Sequence, residues 1–361
     1  MKQQLLFFIV GAAIALASCS KDETTSINTG EGIAFRSAMG TRATETTITN
    51  LPDFKVTALT DNGASYFVDA LFEKEGNTTI FVSDPSYYWP AEGTLSFYAY
   101  APSSLTGVQI DNTTKQVSVT PAENISEQID FITDNATGSK ANESTGVALA
   151  FEHRLSQIEV LAKNTNTNYV FKVKGVKIGQ PISSGVFDFG TEKFTAGAMK
   201  TDYMIKYATE HTLASDAVSI MDASGTSTNG NAMLIPQQLV AWDVNDDSNN
   251  TNAGAYLSVL VNITTKDGAQ IYPPADGVYG WAAVGIDTNW EPGKKYIYTL
   301  DFSNGAGNVD PEGPDGGDPN PDPDPDPDDE KEPGEDIFGS PIKFDVEVSK
   351  WIDSSQSIDL Q

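Results

Sequence analysis

Few of the 361 residues have side chains suited to catalysis or metal binding, because the chain contains only two His and one Cys. These numbers exclude a zinc site with several His or Cys ligands and an internal disulfide, which needs two Cys. His153 could serve as a general base, but no nucleophile lies near it, and a structural His at a strand end explains it better. The G-x-S-x-G, H-E-x-x-H and P-loop motifs are absent. We therefore expect no enzyme, no catalytic residues, no cofactor and no metal.

Two further groups could bind a ligand. Residues 243–247 carry oxygen ligands at positions i and i+2, as in a calcium loop, but they lack the Gly and the distal Glu of an EF-hand, which favours a plain turn. Four Trp side chains could stack on sugar rings, although strand alternation should place part of such a set in the core. They are Trp89, Trp242, Trp281 and Trp290. Glycan binding therefore stays open as an alternative function.

The charge of the chain is strongly negative and unevenly distributed. With 22 Lys and Arg against 50 Asp and Glu, the net charge is −28, which opposes binding to nucleic acid. Residues 310–336 alone contain 13 acidic residues and one Lys. Pro alternates with Asp or Asn across residues 318–328, and Pro has a fixed φ and no amide donor. An extended, solvated linker over residues 306–340 is predicted, with calcium binding by the Asp residues as the alternative.

The single Cys lies where a secretory signal would end. Residues 1–18 combine a basic start with an apolar run that is too short to span a bilayer. Cys19 follows Leu16-Ala17-Ser18, which resembles a bacterial lipobox, in which the Cys is lipidated. An ordinary signal peptide with a neighbouring Cys is the alternative. Residues 20–23 resemble an export tag for the outer face of the outer membrane, so residues 19–30 are interpreted as a tether at the cell surface.

The body of the chain has the pattern of short strands separated by turns. Apolar or alternating runs recur from residue 31 to 305, with Asp, Asn, Gly and Pro between them, which predicts an all-β fold made of sandwiches. The polar stretch 133–146 separates two sets of strands. We therefore expect an N-terminal domain over 31–138 and a C-terminal domain over 139–305.

The last segment, residues 341–361, contains one strongly amphipathic strand. Its apolar face carries Ile342, Phe344, Val346 and Val348 at period two. Trp351 breaks that parity and predicts a bulge or a change of partner near residues 349–350. A segment of about 20 residues cannot form its own core, so the strand must dock into a sheet. That sheet belongs either to the same chain or to another copy, which would give head-to-tail polymers.

Several motifs in this order resemble the fimbrillin family, the Mfa-like subunits of type V pili. They are Ile33-Ala34-Phe35, Thr41-Arg42-Ala43, Tyr88-Trp89-Pro90, Phe151-Glu152-His153-Arg154-Leu155, Leu234-Ile235-Pro236-Gln237, Trp290-Glu291-Pro292-Gly293 and Val348-Ser349-Lys350-Trp351. The resemblance implies two transthyretin-like β-sandwich domains plus a C-terminal donor strand, here on an extended linker. It also implies export as a lipoprotein through Cys19, and cleavage after an Arg, with Arg42 as first choice and Arg36 as second.

In this family the cleavage removes the first strand and opens a groove, which the donor strand of another subunit fills. The expected donor residues are Ile342, Phe344, Val346, Val348 and Trp351. The expected partners are other copies or related pilins, outer-membrane lipid through Cys19, and a host protein or glycan, with no nucleic acid. Three functions remain open: a structural pilin of a surface fimbria, a tip adhesin, and an anchor that keeps its lipid.

Overall fold

The computed structural model of the protein describes residues 32–39, 51–76, 78–221, 230–245, 254–313, 316–317 and 331–351. Cys19 and Arg42 lie outside these ranges, so their lipidation and cleavage stay predictions. Within them the regular secondary structure is strand apart from two short 3-10 helices, which confirms the all-β fold class. No helix among these residues has the length and apolar character needed to cross a membrane.

The bounds of the elements are as follows. In chain order the strands are β1 (Phe35–Met39), β2 (Asp53–Thr60), β3 (Ser65–Lys74), β4 (Ile80–Val82), β5 (Leu95–Ala101), β6 (Gln109–Ile110), β7 (Lys115–Val119), β8 (Ile132–Gly138), β9 (Val147–His153), β10 (Ser156–Lys163), β11 (Tyr169–Gly179), β12 (Gly185–Asp188), β13 (Lys193–Ala196), β14 (Tyr203–Thr212), β15 (Val218–Ser219), β16 (Ala232–Leu234), β17 (Tyr256–Thr265), β18 (Gln270–Tyr272), β19 (Gly280–Gly285), β20 (Lys294–Asp301), β21 (Gly305–Val309), β22 (Asp336–Gly339) and β23 (Lys343–Lys350). Two single-turn 3-10 helices span Ile125–Glu127 and Lys140–Asn142.

The N-terminal part closes into a barrel in the order β1-β4-β3-β2-β5-β8-β9. In β9 buried and exposed residues alternate strictly, because the strand has one face in the core and one in solvent. β1 completes the barrel: it pairs antiparallel with β4 and parallel with β9. The predicted boundary at 138/139 falls between β8 and β9, which pair with each other inside this barrel.

The C-terminal part is a sandwich of two sheets. One has the order β14-β11-β17-β19-β21-β22, with β18 on β17, and the other has the order β15-β10-β20-β23, with β16 on β10. Buried side chains from both sheets form one core cluster, for example Val160 of β10, Phe171 of β11, Val259 of β17 and Tyr298 of β20. The packing of the two sheets buries one face of β17. On its other face, Tyr256 and Leu260 belong to two smaller buried clusters.

A small fourth sheet spans the predicted domain boundary. Its order is β13-β12-β7-β6, so β7 from before the boundary pairs with β12 from after it. Beneath this sheet Tyr100, Val117, Phe187 and Trp351 share a core cluster. Residues on both sides of 138/139 are thus packed together, and the division into domains at that point stays a prediction.

The segment predicted to be a linker, residues 306–340, begins and ends in paired strands. β21 and β22 are antiparallel neighbours, and the amide of Val309 donates to the carbonyl of Glu335 at 2.9 Å. The chain therefore leaves this sheet edge after β21 and returns to the same edge at β22. The sequence of β21, Gly-Ala-Gly-Asn-Val, has no apolar alternation, which is why it carried no strand signal.

Candidate functional site

The first described segment supplies two side chains to the centre of the barrel. Ile33 and Phe35 are buried, because alternation along the extended chain points them inward, whereas Arg36 is exposed. The Phe35 ring meets Phe72 and Phe97 edge to face, with ring centroids 4.7 and 5.1 Å apart. β1 therefore fills a place in the core that only an apolar strand can fill.

The backbone of this segment is bonded along both sides. Ile33 donates its amide to the carbonyl of Tyr87 at 2.6 Å, and Val147 donates its amide to the carbonyl of Ala34 at 2.9 Å. Gly146 makes the second contact possible: its φ is +68°, and a Cβ there would lie 3.2 Å from the Ala34 oxygen. Without β1, the strands β4 and β9 would each present an unpaired edge.

A cleft of about 370 Å³ lies along β1 and gives solvent access to it. Its lining includes Arg36 of β1, Glu75, Ile80 of β4 and Glu143. The cleft thus reaches the segment that the resemblance expects to be removed, on the side where β1 meets the short strand β4. We assign no separate ligand to it.

The C-terminal strand is docked in its own chain. β23 pairs antiparallel with β20 over all eight of its residues in one continuous register. Of the two alternatives predicted near residues 349–350, the bulge is wrong, because the register continues unbroken to Lys350. The strand ends there, and Trp351 leaves the sheet. β23 forms the edge of its sheet, since β20 is its only neighbour there among the described strands.

The apolar face of β23 is covered unevenly. Ile342 is buried at the start of the strand, Phe344 and Val346 are half-buried, and Val348 is 52% exposed. Phe344 packs against Tyr298 of β20, with ring centroids 6.1 Å apart. Within its own chain, therefore, the strand leaves part of the apolar face that the sequence singles out in contact with water.

Trp351 connects the end of β23 to the barrel. Its ring is 1% exposed and stacks on His153, with centroids 4.4 Å apart and 16° between the planes. The backbone amide of Trp351 donates to the carbonyl of Gly293 at 3.1 Å. His153 lies at the end of β9, where its Nδ1 is 2.7 Å from Oδ2 of the buried Asp130. This carboxylate, instead of the backbone group expected for a strand-end His, orients the ring.

The other predicted ligand groups do not assemble. Trp89, Trp242, Trp281 and Trp290 are all buried, so they form no exposed platform for sugars. Asp243 accepts the amide of Asn245 at 2.9 Å, which makes residues 243–245 a turn. Among the described residues no group of three His, Cys, Asp or Glu side chains could hold a metal ion.

A buried cluster around Lys177 has no counterpart in the sequence predictions. Its Nζ is 3.0 Å from Asp310 Oδ1, 3.1 Å from Glu312 Oε2 and 2.7 Å from the carbonyl of Gly316, and Asp202 Oδ2 lies 3.9 Å away. The side chains of Lys177 and Asp310 are both fully buried. Lys177 alternates with apolar residues along β11. This alternation is the only local sequence signal for the cluster. The residues that cover it follow more than 130 positions later.

Burial raises the pKa of two carboxyl groups in this cluster. Burial raises the pKa of Asp202 to about 6; Lys177 opposes this rise and Glu312 adds to it. Burial also raises the pKa of Asp310, again against the effect of Lys177. The rings of Tyr256 and Trp281 flank the Lys177 ammonium, with centroids 5.1 and 5.6 Å away. Three carboxyl groups and one amine therefore share a largely apolar pocket.

Comparison with protein families gives one match. Residues 41–313 match the family described as fimbrillin-like. No curated protein matches the chain.

Solved structures that match the chain include the following three. A candidate cell adhesion protein of Parabacteroides distasonis is 9% identical, with 91% of this chain and 98% of that chain covered and a TM-score of 0.50. One from Bacteroides uniformis is 14% identical, with 89% and 97% covered and a TM-score of 0.48. The fimbrial anchor protein Mfa2 from Porphyromonas gingivalis is 13% identical, with 75% and 90% covered and a TM-score of 0.34.

Proposed function

The chain belongs to the fimbrillin-like family, and from this premise we propose that it is a structural pilin that polymerises by β-strand exchange. As a member of the family it is a fimbrial or adhesion-related protein. The finer proposal has three steps: export as a lipoprotein on Cys19, cleavage after Arg42, and insertion of β23 into the barrel of another copy or of a related pilin. The assembled form would lie at the cell surface, outside the outer membrane.

The observation that carries the proposal is the position of β1. It is one strand, close to the N-terminus, that separates β4 from β9 and places Ile33 and Phe35 in the barrel core. Cleavage after Arg42 would free this whole strand, and its departure would open one slot with two unpaired edges and an apolar floor. Reburying side chains of this size would stabilise an incoming strand by about 1.5–3 kcal/mol each.

β23 has the side chains that such a slot requires. Docked on β20 it leaves Val348 52% exposed and Phe344 and Val346 half-buried. A slot closed on both edges would cover more of this face and would pair the strand on two sides instead of one. Backbone pairing lost from β20 would be regained in the new sheet. The exchange therefore favours the partner chain when a slot is open.

The fold disfavours Arg36, the second choice, as the cleavage position. Arg36 is exposed but lies inside β1, where it pairs with Ile80 and Ala148. Proteases cut exposed, unpaired backbone more readily than strands within a sheet. A cut at Arg36 would also leave part of β1 in place, whereas a cut after Arg42 removes all of it together with Cys19.

The test is polymerisation of the purified chain after treatment with an Arg-specific protease. We expect ladders on gels run under mild denaturation, and we expect Arg42→Ala and deletion of residues 341–361 to abolish them. Glu347→Gln is the matched control, because Glu347 lies on the exposed polar face of β23. Ladders that persist after the deletion, or a treated chain that stays monomeric, would refute the proposal.

The N-terminus of the surface form separates the pilin from a lipid-retaining anchor. Mass spectrometry of fimbriae sheared from cells should find chains that begin at Ala43. A chain that still begins at a lipidated Cys19 would instead identify an anchor, and the pilin proposal would then be wrong.

A further inference from the structure

We propose that Lys177 and Asp310 join through an intramolecular isopeptide bond between Nζ and the side-chain carboxyl carbon. Both side chains are fully buried, and the amine lies 3.0 Å from the Asp310 oxygen. Holding two reacting groups at about 3–3.5 Å converts a slow bimolecular condensation into an intramolecular one. The bond would tie the interior strand β11 to the chain just after β21.

The route of the Lys177 side chain shows that the site is built for this contact. Lys177 of β11 lies opposite Ser258 of β17, Ser258 lies opposite Ala283 of β19, and Ala283 lies opposite Asn308 of β21. Ser258 and Ala283 are the small side chains that lie between them on this face of the sheet. Along it the amine reaches Asp310, three strands from its own backbone.

The surroundings favour a neutral product over an ion pair. The rings of Tyr256 and Trp281 flank the amine, and desolvation of a buried ion pair costs several kcal/mol per charge. Burial raises the pKa of Asp310, so this carboxyl is inclined toward the protonated form that an amine can attack.

The step is a condensation that needs no oxidant or reductant. Lys177 gives one proton to the Asp310 carboxylate, and the neutral Nζ then attacks the carboxyl carbon. The nitrogen releases a second proton, the C–O bond breaks, and the departing hydroxyl takes that proton and leaves as water. Asp202 can carry the proton between the two atoms, since its Oδ2 lies 3.9 Å from Nζ and its pKa is about 6.

The test is the mass of the purified full-length chain and of its peptides. We expect the wild type to be lighter than its sequence by one water molecule, and fragmentation to show the Lys177 peptide joined at Asp310. Lys177→Arg keeps the positive charge but cannot condense, so it should have its full calculated mass. A wild type of full calculated mass, or a join at Glu312, would overturn the assignment.

The proton carrier has its own test, independent of folding. Asp202→Asn should slow bond formation by about 100-fold or more, measured as the unbonded fraction in freshly synthesised chain, and Asp202→Glu should restore it. If Asp202→Asn forms the bond at the wild-type rate, Asp202 is not the carrier. An amide bond also survives boiling in detergent, whereas an ion pair does not, so wild type and Lys177→Arg should differ in gel mobility.

Discussion

Phe35 offers the sharpest test of how strongly the barrel holds β1. Its ring is fully buried and lies edge to face with Phe72 and Phe97, at 4.7 and 5.1 Å between centroids. Phe35→Ala removes these contacts and leaves a cavity that the neighbouring strands cannot collapse into, because each is fixed in the barrel by two partners. The change should weaken the barrel before any cleavage takes place.

The expected magnitude follows from the burial. A Phe→Ala change at a fully packed site costs about 3–5 kcal/mol, within which each aromatic pair accounts for about 0.5–1.5 kcal/mol. Since about 1.4 kcal/mol is a tenfold change in an equilibrium constant, the population with β1 detached should rise by about 100-fold or more.

Two measurements check the prediction. Urea unfolding of the uncleaved chain should give the loss of free energy, and hydrogen exchange should show faster exchange at the amide of Val147, which donates to Ala34. Arg36→Ala is the matched control, since Arg36 is the exposed neighbour in the same strand. A loss under about 1 kcal/mol for Phe35→Ala would mean that β1 is not part of the barrel core, and the strand-exchange argument would fail with it.

Three further predictions concern β23 and the Lys177 cluster. Val348 is 52% exposed in the monomer, so Val348→Lys should change the free energy of unfolding by less than about 0.5 kcal/mol. The same change should abolish the polymer ladder. An unchanged ladder would show that Val348 enters no apolar slot. Because the pKa of Asp202 is raised from 3.8 to about 6, the folded state binds more protons than the unfolded one, and stability should fall as pH rises from about 4 to about 6. Asp202→Asn should flatten urea midpoints across that window, and an unaltered slope would contradict the assignment. Gly316→Ala places a Cβ against the Trp281 indole at a φ of +64°, so it should lower the free energy of unfolding by about 1–3 kcal/mol, measured by thermal unfolding. Gly76→Ala is the control: the φ of Gly76 is also positive, but the space around it is open. This variant should therefore lack the steric part of the cost.

The sequence was informative where one strand carries its own signal. Alternation in β9 and the apolar row at Ile342, Phe344 and Val346 predicted strands that the structure contains. Such patterns record which face of a strand is buried. They do not record which strand lies next to it, and so the closure of the barrel by β1 and the pairing of β7 with β12 were not predictable from them.

The remaining differences between the sequence predictions and the structure arise where parts of the chain that are distant in sequence pack together. Lys177 has the parity of a solvent-facing residue, and only the chain around Asp310 and Gly316 buries it. The tryptophans were considered as a surface platform, but neighbouring strands cover each of them. The strand β21 has almost no side chains that signal a strand, and it forms because a free sheet edge in β19 accepts its backbone.

The return of the chain to one sheet edge after β21 has a practical consequence. The amide of Gly334 donates to the carbonyl of Val309 at 3.0 Å, so the ends of the acidic segment are held together whatever lies between them. Doubling the length of a closed loop costs only about 0.6 kcal/mol in entropy. A foreign peptide inserted between Gly317 and Lys331 should therefore leave β22 and β23 in register. In the proposed polymer, this position would display one inserted peptide per subunit.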